Sequence, residues 1–318
     1  MKKTSILLTG SHRSGTTFVA EILSFNRKIS YVEEPSNKDL ALGKLANFKG
    51  YFPYICSLNE SRYEEHYRKL IETYSRVKGY RHKSPHKKWL NRWRDLLRPG
   101  TTSYIPMFKD PIGFFSAEWL AEKVEMSVII TVRHPAAFAH SLKRLGWTFQ
   151  FEDLLRQQLL TSGPLAAFKS QIERFCLEEK TIIEQAAALW SMIYSVALGY
   201  KQRHPAWLFL RIEDIASDPL GEFTKVFKYL HLNLTDSIKS AIFDMTGSHN
   251  PSEAGPGVVH NLRRDSKKAV KAWQKELTNK EKQQIFSIVH SVSQYYYCLL
   301  YTSPSPRDLS TSRMPSSA

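Results

Sequence analysis

The chain reads as an α/β fold of P-loop-like, three-layer type, with a mainly parallel sheet flanked by helices. Two observations predict it. Short apolar runs that read as strands alternate with stretches of helical spacing, from Ile6-Leu7-Leu8 to Trp207–Arg211. The first run also feeds into a loop with the frame Gly10-x-x-x-x-Gly15, after which apolar residues recur at helical spacing.

Taken in order, Ile6-Leu7-Leu8 predicts a buried strand, and Val19, Ile22 and Leu23 place a helix behind the loop. Ile29–Glu33 predicts a second strand. Arg62–Lys78 and Lys87–Leu97 predict polar, basic helices. Tyr104–Lys109 predicts a strand and Phe114–Lys123 a helix. Ser127–Val132 is the plainest strand, dense in β-branched residues. Pro135 suits the first turn of a helix. Long helices are expected over Phe168–Arg203, and residues 148–206 form a helical insertion. Trp207–Arg211 predicts another strand. Asp218-Pro219 predicts a cap with Pro in the first turn, and Thr278-Asn279-Lys280-Glu281 a capping box.

The 318 residues are 42% hydrophobic and 24% charged, which excludes collagen, a disulfide scaffold and a wholly disordered chain. There are 45 Lys and Arg against 30 Asp and Glu, a net +15 that points to an anionic partner. Nucleic acid, acidic lipid and a polyphosphate ligand all fit that excess.

The apolar run after Met1-Lys2-Lys3 stops at Thr9-Gly10, too short for a signal peptide. Gln185–Tyr200 falls short of the roughly 18–20 apolar residues a membrane span needs, and Gln283–Pro306 is too polar. Cys56, Cys176 and Cys298 form neither a close pair nor a metal spacing. The expectation is a cytoplasmic protein with no membrane span. Cys298–Ala318 turns abruptly to Ser and Pro and resembles the in-frame translation of a transposon-based sequencing-library adapter. One domain over residues 1–297, a non-native or disordered tail over 298–318 and a microbial, bacterial-type source are therefore expected.

Four motifs carry the chemistry. Gly10-Ser11-His12-Arg13-Ser14-Gly15-Thr16-Thr17 has glycines that let backbone amides approach an anion, and a helix N-terminus that adds unsatisfied N–H groups. The Lys that a nucleoside-triphosphate loop carries after its last Gly is Thr16 here, which argues against an ATPase or kinase; Arg13 supplies a cation instead. Arg133-His134-Pro135 ends the plainest strand, and Ser141 follows on the next helix, so both can face one phosphate. Phe108-Lys109-Asp110-Pro111 closes the preceding strand. Tyr31-Val32-Glu33-Glu34 closes the second strand, and carboxylates adjacent on a strand point to opposite faces, so only one is expected to reach a site.

In this order and spacing the motifs resemble sulfotransferases that use 3′-phosphoadenylyl sulfate (PAPS), over most of residues 5–295. Arg-Ser-Gly-Thr-Thr resembles their phosphosulfate loop, and the segment from Arg133 to Ser141 resembles the one holding the 3′-phosphate. Lys109 and the Glu33-Glu34 pair are similar to positions of the tyrosylprotein members. That resemblance implies Arg13, Ser14, Gly15, Thr16 and Thr17 on the 5′-phosphosulfate, and Arg133 and Ser141 on the 3′-phosphate. It implies Lys109 and Arg13 against developing charge, and Glu34 as general base, with Glu33 the alternative. Arg211-Ile212-Glu213-Asp214-Ile215 resembles a structural family segment. Asn261, Arg263 and Arg264 resemble a basic segment that folds over the nucleotide, with Gly255-Pro256-Gly257 as a flap. His134-Pro135-Ala136 stands where tyrosylprotein members have Asp-Gly-Arg and is closer to bacterial and carbohydrate members.

The implied reaction is transfer of a sulfuryl group to a hydroxyl or amine of a small molecule or glycan, leaving 3′,5′-bisphosphoadenosine and using no metal. Residues 40–100 and 145–180 are expected to shape the acceptor pocket. The rivals are a kinase-like phosphotransferase and a basic nucleic-acid binder. The second would use Arg81–Arg98, where seven Lys and Arg surround Trp89 and Trp93. His82 and His86 have a metal-like spacing that Pro85 breaks. His12, His134 and His140, near the phosphate positions, read as packing or hydrogen-bonding residues.

Overall fold

The structure is a computed structural model that describes residues 5–79, 103–251 and 262–297. Its sheet has five strands: β1 (Ser5–Gly10), β2 (Ile29–Glu33), β3 (Ile105–Lys109), β4 (Met126–Val132) and β5 (Leu208–Arg211). Their order is β2-β3-β1-β4-β5, and every pair is parallel. β1 is central because it carries no charge and all six of its residues are buried, as a parallel strand covered on both faces requires.

The period of two along the strands sorts side chains into two cores. Ile6 and Leu8 of β1 pack with Val19, Ile22 and Leu23 of helix α1 (Thr16–Ser24) on one face. Leu7, Val128, Ile130 and Val132 point to the other, larger core. That core is organised by α6 (Ile182–Arg203), which buries Trp190, Tyr194 and Tyr200. Among the described residues, the helices of seven or more residues between α1 and α6 are α2 (Glu64–Arg76), α3 (Ala117–Lys123), α4 (Pro135–Leu145) and α5 (Lys169–Leu177). Those after β5 are α7 (Pro219–Tyr229), α8 (Asp236–Thr246) and α9 (Asn279–Ser293).

The expected caps form. Asp218 accepts the Gly221 N–H at 2.9 Å ahead of α7, and Thr278 and Glu281 close a capping box on α9. A second capping box, Thr181 with Glu184, starts α6 and splits the expected 168–203 helical stretch. Phe114–Ser116 is a 3₁₀ turn, and the α-helix begins only at Ala117. α6 extends beyond the uncharged stretch on both sides. At 22 residues it is long and apolar enough by length and composition to cross a membrane, yet 67% of its apolar window is buried, and it packs against α4 and α9 as a core helix. The helix expected at 87–97, the basic stretch 81–98, Asn261, the 255–257 flap and the 298–318 tail lie outside the described residues.

The order of the strands creates the site. From β1 the chain passes over β3 to reach β2, and from β3 it crosses to β4 on the opposite side of β1. Connections therefore diverge at the carboxyl end of β1 and leave a crevice there. Trp190 braces that end, since its buried indole N–H donates to the Arg133 carbonyl oxygen at 2.8 Å. Truncating Trp190→Ala should lower stability by about 3–5 kcal/mol, measured as a reduced urea midpoint at unchanged m-value.

Candidate active site

The loop between β1 and α1 is seated by two glycines. Gly10 has φ 141° and Gly15 has φ 87°. A Cβ on Gly10 would lie 2.4 Å from the Thr131 carbonyl oxygen, and one on Gly15 would lie 2.5 Å from Ile212 Cδ1. The loop thus lies directly on β4 and on the segment after β5, which only glycine permits. Buried hydroxyls lock it there. Ser14 Oγ accepts from Thr131 Oγ1 at 2.7 Å, and Thr131 Oγ1 also lies 3.1 Å from the Thr9 carbonyl oxygen. Tyr194 OH donates to the Thr131 carbonyl at 3.0 Å and meets Ser11 Oγ at 3.0 Å.

Ser14 differs from expectation. Its N–H donates to the Ser11 carbonyl at 3.2 Å, its hydroxyl donates to the same oxygen, and its side chain is fully buried. Its hydrogens hold the loop together. Thr16 and Thr17 begin α1, where first-turn N–H groups have no intrahelical acceptor.

Arginines converge beside the loop. Arg133 Nη1 donates to the Arg13 carbonyl at 2.7 Å, and Arg13 Nε donates to Ser141 Oγ at 3.1 Å. Arg13 also lies 5.8 Å from the centroid of the Trp147 ring. Burial, and then the charges of Arg133, Arg264 and Arg144, push the Arg13 guanidinium down from its ordinary 12.5 to about 9. A guanidinium does not lose its proton in practice; the shift reflects first its burial and then the repulsion of its neighbours, and a bound anion would relieve the second. Arg133 is likewise lowered by burial, offset by Glu213, whose buried carboxylate accepts from His134 N–H at 2.9 Å and Tyr297 OH at 2.8 Å.

Arg13, Arg133 and Arg264 line one cavity together with Gly15, Thr16 and Thr17. Its apolar wall includes Ile212, Met245 and Leu262. Arg263 is exposed and does not line it, so of the two neighbouring arginines only Arg264 joins the cluster. Ser141 is buried and, instead of lining the cavity, accepts from Arg13 and ties the loop to α4.

The acidic pair sits across the loop. Lys109, buried at the end of β3, bonds Glu34 Oε1, and its ammonium is 3.9 Å from Glu33 Oε1. Alternation on a strand would send these carboxylates to opposite faces. Glu34 instead leaves β2 with φ 41°, which turns its side chain back to Lys109. Asn37 Nδ2 donates to Glu34 Oε2 at 2.7 Å and fixes the carboxylate plane. Asp110 holds the turn after Glu34 by accepting N–H groups of Ser36 at 2.9 Å and Gly113 at 3.0 Å. Burial, with the nearby Glu34 charge adding to it, pushes Asp110 up to about 6 despite those bonds.

A second cavity opens on this side, lined by Glu34, Asn37 and His12 among aromatic walls that include Phe52, Trp147 and Phe149. It draws on residues 51–52 and 146–149, within the two expected segments. Arg13, Thr16 and Thr17 line both cavities, so the loop is the wall between them. Sequence reasoning missed Asn37, Trp147 and the buried role of Glu213. Asn37 and Trp147 carry no motif, and the partners of Glu213, a residue of a recognised segment, are ones that only the fold brings near. The local Glu34–Asn37 pair needs the left-handed turn at Glu34.

No protein-family model and no curated protein matches the chain. Among solved structures it is similar to a sulfotransferase domain from the curacin biosynthetic pathway, with TM-score 0.47 and 14% identity over 92% of this chain and 97% of that one. It is also similar to a sulfotransferase domain of the Synechococcus olefin synthase, with TM-score 0.45 and 14% identity over 93% and 95% of the two chains. A mouse sulfotransferase complexed with PAP matches with TM-score 0.42 and 15% identity over 92% and 86%.

Two histidines near the site stay neutral. Burial and then the adjacent Arg13 lower His12 from 6.5 to about 4, and burial and then Arg133 do the same to His134. Well above pH 6.5 neither ring binds a proton, folded or unfolded. As pH falls from 6.5 towards 4 the unfolded chain binds protons that the folded chain excludes, so stability declines over that window. His134→Phe, which keeps a ring against Trp273, should decline less steeply between pH 6.5 and 4.5 in urea titrations.

Proposed function

We propose that this chain is a sulfotransferase that moves a sulfuryl group from PAPS to a hydroxyl or amine acceptor. One observation carries the proposal: a cavity edged by arginines and a cavity lined by Glu34, the carboxylate that the buried Lys109 bonds, share the wall Arg13, Thr16 and Thr17. The residues suit such a donor. Crowded guanidiniums favour an anion, and the Gly10 and Gly15 positions let backbone amides approach it closely.

When bound, PAPS supplies an activated sulfuryl group next to a phosphate leaving group. Thr16 and Thr17 would hold the 5′ end through first-turn N–H groups, and Arg133 and Arg264 the 3′-phosphate. Glu34 takes the acceptor proton as the acceptor atom bonds to sulfur. The S–O bond to the phosphate breaks in the same step, and its electron pair stays on the phosphate oxygen of 3′,5′-bisphosphoadenosine. Lys109 and Arg13 stabilise the charge that develops there. A small molecule or glycan occupies the second cavity. The scheme assigns no role to a metal.

Transfer of labelled sulfate from PAPS to a panel of hydroxyl and amine acceptors tests the proposal. Glu34→Ala should lower kcat by about 10²–10⁴-fold while binding of 3′,5′-bisphosphoadenosine persists; full activity would refute the base assignment. Glu33→Ala should keep most activity. In Arg133→Ala, affinity for 3′,5′-bisphosphoadenosine should fall by about ten-fold or more, the worth of a charged hydrogen bond; unchanged affinity, measured by calorimetry, would refute the 3′-phosphate assignment.

A further inference from the structure

His12, a loop residue to which the scheme above gives no role, also lines the second cavity. It precedes Arg13 in the loop, and its ring is held edge-on by Phe138, with centroids 5.2 Å apart at 73°. Phe52 flanks it at 6.0 Å. Nδ1 is enclosed and has no hydrogen-bond partner. Nε2, at the other end of the ring, is the nitrogen left to reach the cavity that His12 lines with Glu34, Thr16 and Thr17.

A neutral imidazole carries one proton, on one nitrogen or the other. A buried N–H without an acceptor is rarer in proteins than a buried lone pair without a donor. The enclosed Nδ1 therefore keeps the lone pair, and Nε2 carries the hydrogen. That directs a donor toward the second cavity, whose lining shares Arg13, Thr16 and Thr17 with the first.

We propose that His12 is a further catalytic residue, whose Nε2–H bonds a non-bridging oxygen of the sulfuryl group as that group crosses from donor to acceptor. The assignment rests on the sulfotransferase reading above. A donor placed where negative charge accumulates in the transition state lowers the barrier without tightening ground-state binding. The phenylalanines fix the ring by packing, so the donor is aimed before substrate arrives.

Two amides separate this role from a packing role. The nitrogen of Gln lies near the position of Nε2, and that of Asn near the position of Nδ1. His12→Gln, His12→Asn and the parent chain are compared in sulfate transfer from labelled PAPS to an acceptor found in the panel. Urea midpoints and 3′,5′-bisphosphoadenosine affinity are read alongside. The expected result is a kcat loss of about 10²-fold in His12→Asn, with acceptor KM and nucleotide affinity held within about twofold. His12→Gln should recover kcat to within about tenfold of the parent. Equal kcat in the two amides, or a loss confined to acceptor KM, overturns the proposal. A parent chain that transfers no sulfate to any acceptor instead overturns the sulfotransferase reading itself.

Discussion

Gly10 leaves β1 so close to β4 that its α-carbon has no room for a substituent on the side of the Thr131 carbonyl. The rest of the site depends on that approach. It lets Ser14 reach the Thr131 hydroxyl and brings the Arg13 carbonyl to Arg133. It also starts α1 with its free N–H groups between the two cavities. Trp190 and Tyr194, on the core helix behind, hold the same strand end by donating to the carbonyls of Arg133 and Thr131. The large core therefore positions the loop as well as stabilising the fold.

Charge is distributed unevenly around this seat. Three arginines edge one cavity and mutually repel, while Glu34 of the other is bonded by a buried lysine whose ammonium also lies 3.9 Å from Glu33. Both arrangements follow from strand ends. Arg133 and Lys109 close β4 and β3, the neighbours of β1, and their side chains flank the loop that leaves β1. The net +15 of the chain thus has a local expression here, although a few arginines account for only a small part of it.

Much of the fold was legible. Each expected strand is present, with ends shifted by at most two residues, because β-branched runs bounded by polar or glycine residues have few alternatives. The caps at Asp218 and Thr278 were legible because they are local hydrogen bonds. The break before α6 was not anticipated, although the Thr181–Glu184 box marks it. The site was legible as a set of motifs but not as a geometry. Ser14 and Ser141, expected beside an anion, also bond within the protein, and Arg263 and Arg264 part ways despite adjacency. Glu33 and Glu34 approach the same ammonium because one φ angle cancels the alternation of a strand.

The sequence by itself determined the elements, the glycine frame and the residue types able to hold an anion, since these follow from local sterics and side-chain chemistry. Tertiary structure alone decided that Arg13, Arg133 and Arg264 share a cavity, that Trp147 faces Arg13, and that His12 enters the second cavity. Those contacts join residues far apart in the chain, and the parallel order of the sheet, with its divergence at β1, is what brings them together.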